Sequence, residues 1–198
     1  MNMPLSDAKA ALRAEIRARL KAMTPPERAA GSAQLCARLQ GQEAWQTAAA
    51  VLFFAPLPDE PDIWPLLEEA LGLGKTVLLP RFDPATQGYT ACRVQNLGEV
   101  VKTGKFGIRE PSGACPVWPL NRLDLGLVPG VGFGWNGRRL GRGKGYYDGL
   151  LQYVSGTKCG VAFDEQVVGE IPSGPHDISL DYILTPTRWH RADGPRRF

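Results

Sequence analysis

A chain of 198 residues is long enough to bury a substantial core, and one domain spanning residues 1–198 is the expectation. With 43% hydrophobic and 22% charged residues it has the make-up of a folded globular protein, which excludes a disordered or fibrous chain. A formal charge of +3 is too mild to announce duplex nucleic-acid binding, so partners have to be argued from local sites. Cys36, Cys92, Cys115 and Cys159 are far apart, and with His176 and His190 they form no zinc-ligand spacing. Free, buried thiols in a reducing compartment are therefore expected. The first twenty residues carry charges throughout, unlike a secretory leader, and the most apolar run, residues 48–57, is too short to span a bilayer. A cytoplasmic protein without membrane contact, acting as a monomer, is the working expectation.

In chain order, Ser6 is placed to cap a first amphipathic helix whose Leu12, Ile16, Leu20 and Met23 recur every three or four residues. Thr24-Pro25-Pro26-Glu27 reads as a capping box with proline in the first turn, opening a second helix that ends near Gly41. AVLFFAP, residues 50–56, lacks a helical period and suits a strand buried on both faces of a parallel sheet. Asp62 can cap the next helix, which carries Leu66, Leu67, Ala70 and Leu71 and stops at Gly72 or Gly74. TVLLP, residues 76–80, then reads as another buried strand. Apolar runs at residues 125–128, 160–163 and 182–184, with 89–94 as an edge strand, complete the pattern. The fold class is α/β: a mainly parallel, Rossmann-like sheet flanked by helices in three layers. In such sheets ligands sit beyond the carboxyl ends of the strands, which directs attention to the loops leaving Phe54, Val128 and Phe163.

The loop after Val128 is the most unusual. Between Gly130 and Gly149 stand eight of the chain's 23 glycines, together with Arg138, Arg139, Arg142 and Lys144. Glycines let backbone N–H groups approach an anion, the cations neutralise phosphate, and a helix starting near Tyr146 adds its positive end. Neither GxxxxGK[ST] nor GxGxxG is present, so spacing alone leaves a solvated cationic loop as the alternative to a phosphate site.

The segment VPGVGFGWNGRRLGRGKGYYDGLL, residues 128–151, closely resembles the signature of 5-formyltetrahydrofolate cyclo-ligases. The likeness continues through KAALR (9–13), the PDE segment around Glu60, GIREP (107–111), GVAFDEQVV (160–168) and HDISLDYILT (176–185). One position departs: Gly134 stands where the family usually has an acidic residue.

The resemblance implies an enzyme that uses ATP and Mg²⁺ to convert 5-formyltetrahydrofolate to 5,10-methenyltetrahydrofolate, releasing ADP and phosphate. It implies ATP binding by Lys9 and Arg13, one helical turn apart on one face. The ATP surface continues through Arg139, Leu140, Gly141, Arg142, Gly143, Lys144, Gly145, Tyr146 and Tyr147. Of these, Arg142 to Tyr146 also border the folate, with Ala55 and Glu60; a carboxylate is suited to the pterin's N–H groups. Arg139, Arg142 and Lys144 are the catalytic candidates, since stabilising charge on a transferring phosphoryl group is the main task. Asp148 and Asp181 match the acidic residues that the family uses for magnesium. Phe54, Tyr146 and Trp118 can stack on the ring or serve the core. His176 and Asp177 suggest acid/base work, though a turn hydrogen bond in SGPHD accounts for them. Cys159 is read as core rather than nucleophile. Two other readings remain open: a noncatalytic RNA-binding relative contacting backbone and bases through the cations, Tyr146 and Tyr147, and an ATP-dependent ligase for another acyl or formyl group.

Overall fold

The computed structural model describes residues 4–100, 102–103, 107–174 and 177–193. Helix α1 (Leu5–Ala22) starts from Pro4, whose carbonyl accepts the N–H groups of Asp7 and Ala8. The expected cap by Ser6 is thereby corrected: Ser6 lies inside the first turn and its hydroxyl bonds the Asp7 carboxylate. Helix α2 (Pro25–Gln40) has the expected capping box, with the Thr24 N–H donating to Glu27 at 2.7 Å and the Glu27 N–H returning to the Thr24 hydroxyl. The short helix α3 (Glu43–Thr47) leads into strand β1 (Ala50–Leu52). That strand is shorter than the apolar run suggested. The Phe53 N–H still reaches the Leu78 carbonyl at 2.8 Å, after which the chain turns out over the end of the sheet before Pro56, which has no N–H to give.

Helix α4 (Trp64–Gly72) begins one residue after Ile63, and the Asp62 carboxylate accepts the Trp64 N–H at 3.0 Å. Strand β2 (Thr76–Asp83) runs three residues beyond the expected Pro80 because it forms a hairpin with β3 (Gly88–Val94). Strand β1 pairs no further than Leu78, so the missing Pro80 N–H breaks no bond on that side. The pairs β4 (Lys102–Thr103) and β5 (Arg109–Glu110), then β6 (Leu125–Val128), β7 (Gly132–Gly134) and β8 (Arg139–Leu140), lead to helix α5 (Tyr146–Leu151). The rest is β9 (Thr157–Val161), β10 (Val167–Val168), β11 (Tyr182–Leu184) and β12 (Trp189–Arg191). Part of the presumed glycine loop is therefore a β-hairpin, β7 against β8, and only residues 141–145 leave it as a loop before α5.

Among the described residues, seven strands form the main sheet in the order β12-β11-β9-β6-β1-β2-β3. Its five inner strands are parallel, while β3 and β12 close the edges antiparallel. Period-two alternation sorts the side chains. Val51, Val77, Leu125, Leu127 and Cys159 pack under α2, α3 and α4, while Ala50, Leu52, Leu78, Val128 and Ile183 face α5 and the small β10-β7-β8 sheet. Helix α1 covers that small sheet through Ile16 and Leu20, which pack with Leu140 and Phe163. The four cysteines are buried and unpaired; burial pushes Cys36 up to about 12 and raises Cys159 further, which leaves neither as a thiolate nucleophile. Among the described residues no helix is long and apolar enough to cross a membrane.

Gly137 closes the β7–β8 turn with φ of +80°, and its carbonyl accepts the Leu180 N–H at 2.9 Å. A Cβ there would stand 2.4 Å from the Leu180 carbonyl oxygen, a backbone atom that cannot step aside cheaply. Gly137→Ala is expected to cost about 3 kcal/mol, combining left-handed strain with overpacking. A thermal melt checks this, and an unchanged midpoint would contradict it.

Candidate active site

The parallel strands end their carboxyl termini on one side, and there Phe54 and Ala55 follow β1 while Pro129 and Gly130 follow β6. Together with α1 and the 141–145 loop they line a cavity of about 530 Å³. Lys9, Arg13, Ala55, Glu60, and every residue from Arg139 to Asp148 take part in its wall. This is the carboxyl-end crevice expected of an open α/β sheet, reached from the loops after Phe54 and Val128. The loop after Phe163 does not contribute, because Phe163 turns inward to pack with Ile16 and Leu20.

Cations dominate one side. Lys9 and Arg13 share a helical face, and the Arg13 Nε–H donates to the Gly141 carbonyl at 2.8 Å, tying α1 to the loop. Gly143 and Gly145 adopt φ of +104° and +70°, which side-chain-bearing residues rarely adopt. Arg142 is part-exposed and forks between two carboxylates, donating from Nη2 to Asp59 at 2.7 Å and to Glu60 at 3.0 Å. Burial alone would lower its affinity for a proton, but Asp59 and Glu60 outweigh it and hold Arg142 above its ordinary value. Glu60 is shifted the other way for an acid. Burial raises it above the ordinary carboxylate range, against the pull of Arg142 and the Leu57 N–H, which donates to its Oε2 at 3.0 Å.

Arg139 behaves differently from the catalytic expectation. Its side chain is only 4% exposed; Nη2 donates to Asp148 Oδ1 at 2.8 Å and Nη1 to the Pro129 carbonyl at 3.2 Å, while Nε is buried without a partner. The guanidinium also lies 5.9 Å from the Tyr147 ring centre. Arg139 thus stiffens the floor of the cavity, and Arg142 and Lys144 are the more accessible loop cations.

Aromatic rings adjoin the cations. Tyr146 meets Phe82 edge-on with ring centres 5.5 Å apart and Tyr89 at 5.9 Å, and Tyr89 lies 5.7 Å from Tyr147. Tyr89 lines the cavity from the edge strand β3; burial, then Glu110 and Tyr146, push its hydroxyl up to about 12, so it stays a neutral donor at physiological pH. Sequence reasoning missed Tyr89 and the Asp59 partner of Arg142. No local spacing flags Tyr89, whereas Asp59 adjoins Glu60 in the PDE segment and was within reach. Trp118 does not join the wall: partly buried, it packs against the core, with the Arg93 guanidinium over its ring at 5.9 Å. His176 lies outside the described residues, while Asp177 lines the cavity.

The two magnesium candidates are not brought together. Asp148 lines the cavity but is engaged by Arg139. Asp181 precedes β11, at the amino end of a parallel strand, where its Oδ2 accepts the Lys158 N–H at 2.8 Å. Asp181 is not among the residues that line the cavity, although Asp177, four residues earlier, is. Among the described residues no group of three or more His, Cys, Asp or Glu could hold a metal ion. Gly134, too, stands outside the cavity wall; a Cβ there would meet Asn136 Oδ1 at 2.7 Å, so the asparagine amide fills the space that a side chain would enter.

A curated 5-formyltetrahydrofolate cyclo-ligase from Mus musculus is 31% identical over 191 residues, covering 91% of this chain and 94% of that protein. The enzyme of the same name from Escherichia coli (strain K12) is 32% identical over 177 residues, covering 87% and 97%. A solved structure of Aquifex aeolicus 5,10-methenyltetrahydrofolate synthetase aligns with a TM-score of 0.83 at 30% identity, covering 99% of this chain and 96% of that one. A Mycoplasma pneumoniae synthetase aligns with a TM-score of 0.71 at 21% identity, which supports the fold alone. The profile of the 5-formyltetrahydrofolate cyclo-ligase family matches residues 5–186. With that span matched, and with whole-length relatives of the same description, the chain belongs to the 5-formyltetrahydrofolate cyclo-ligase family, a family of enzymes.

Proposed function

We propose that this chain converts 5-formyltetrahydrofolate and ATP into 5,10-methenyltetrahydrofolate, ADP and phosphate, in the cavity at the carboxyl ends of β1 and β6. The observation that carries the reading is the lining of that cavity, which brings both kinds of recognising group into one crevice. Lys9, Arg13, Arg142 and Lys144 supply positive charge for a triphosphate, while Glu60 and the Tyr89–Tyr146 wall offer a carboxylate and ring faces for a pterin.

An amide oxygen is a poor leaving group. In the proposed sequence the formyl oxygen attacks the γ-phosphorus and ADP departs; N10 then attacks the activated carbon, its proton is lost, and the C–O bond breaks to release phosphate. No protein nucleophile is needed, in keeping with the buried thiols. The chain's task is to hold the two substrates in line and to neutralise charge as it moves to the leaving ADP. Arg142 is suited to both halves, since its fork already reaches Glu60 and its part-exposed guanidinium borders the loop. Magnesium would arrive with the nucleotide and shield phosphate charge, with Asp148 the one candidate carboxylate placed to offer an oxygen.

Purified full-length protein given 5-formyltetrahydrofolate is expected to develop the absorbance of the methenyl product only when ATP and magnesium are both present. Absence of product under those conditions would refute the reading. Tight, salt-sensitive RNA binding without turnover would favour the noncatalytic alternative.

A further inference from the structure

We infer that Asp177 is a positioning residue for the nucleotide: it holds the Lys9 ammonium at the cavity wall in the orientation that meets a triphosphate. The inference rests on the reading of Lys9 as an ATP contact.

Lys9 Nζ lies 2.7 Å from Asp177 Oδ2, a bond between residues 168 positions apart, and both side chains line the cavity. Their exposures are 18% and 22%, so the pair is sheltered without being sealed from a ligand. The same carboxylate oxygen accepts the Gly174 N–H at 2.7 Å, while the Asp177 N–H returns to the Gly174 carbonyl at 3.2 Å. The acceptor is therefore held by Gly174 independently of the lysine. Burial would raise the Asp177 carboxyl, but Lys9, the Gly174 N–H and Arg139 more than offset it and hold it below the ordinary range, so the acceptor stays charged at neutral pH.

A part-exposed ion pair adds little to folding stability, so the consequence of the Lys9 bond falls on the cavity. An ammonium has three donors, and one spent on Asp177 leaves two for phosphate oxygens. A lysine on a four-carbon stem otherwise surrenders its rotamer freedom when the ligand binds, and a carboxylate that fixes it beforehand removes that cost from binding.

Steady-state kinetics on the full chain test this. Asp177→Ala is expected to raise KM for Mg-ATP about tenfold, with KM for 5-formyltetrahydrofolate and kcat little changed. Asp177→Asn keeps an oxygen acceptor and is expected to recover part of the loss; it also decides the matter if the alanine variant melts early. In the double variant with Lys9→Ala, the KM for Mg-ATP is expected to be no higher than in Lys9→Ala alone, because both changes remove one interaction. Multiplying effects would overturn the inference. So would an equal rise in the folate KM, or a shifted magnesium requirement with the ATP KM unmoved, which would make Asp177 a metal contact. If Lys9→Ala raises the ATP KM and Asp177→Ala does not, only this inference fails; if Lys9→Ala leaves it unchanged, the nucleotide role of Lys9 falls as well.

Discussion

Arg142→Ala is expected to lower kcat/KM by about 10²–10³, the usual consequence of losing one preorganised donor to developing charge. Truncation removes a fork that in the ligand-free cavity spans Asp59 and Glu60. It also strips the buried Glu60 of the group that most opposes its desolvation, so Glu60 is pushed further above the ordinary carboxylate range. The sign of the pH effect follows. If ionised Glu60 binds the pterin, activity falls as pH drops through the Glu60 pKa, and raising that pKa moves the acid limb of the kcat/KM profile upward in the variant. Arg142→Lys restores a charge without the planar fork and is expected to recover the position of the limb better than the rate. Wild-type rates with an unmoved acid limb in a folded Arg142→Ala protein would remove Arg142 from the mechanism.

Glu60→Gln is expected to separate stability from function. The amide cannot present a full negative charge to the pterin, and KM for 5-formyltetrahydrofolate is expected to rise about a hundredfold, the scale of a buried charge-assisted hydrogen bond. Stability moves the other way. Because the folded carboxyl sits above its ordinary value of 4.5, its contribution is fully present below that pH and is lost as pH rises through the folded value. At pH 7 the neutral amide, which can still accept from either Leu57 or Arg142, is therefore expected to raise the melting midpoint, while near pH 4 the two proteins should melt alike. An unchanged folate KM would strike out the substrate role, and a lower midpoint at pH 7 would show that the lost Arg142 contact outweighs desolvation.

Much of this architecture is written in short stretches of chain. The Thr24–Glu27 box, the strand at Leu125–Val128 and the edge position of β3 follow from capping chemistry and apolar periodicity, which act between residues a few positions apart. The same locality explains the errors at Ser6 and at residues 50–56: a polar residue near a helix start is not the cap once Pro4 supplies the first carbonyl, and an apolar run does not say where its strand leaves the ladder. In the site, the concentration of glycine and cation around Arg142 was legible, and so was the one-turn pairing of Lys9 and Arg13.

What the chain alone determined, then, is which groups are available: a cationic glycine-rich segment, a PDE carboxylate pair and an amphipathic first helix. Only the tertiary structure decided how they are spent. Arg142 answers to Asp59 and Glu60 from more than eighty residues away, Lys9 to Asp177 across 168, and Arg139 is taken up by Asp148 as a buried brace. Asp181 pairs instead with the Lys158 N–H at the amino end of β11 and does not line the cavity, whereas Asp177, four residues earlier, does. Charge pairing depends on distance in space, and strand order and direction, which no local pattern encodes, set that distance.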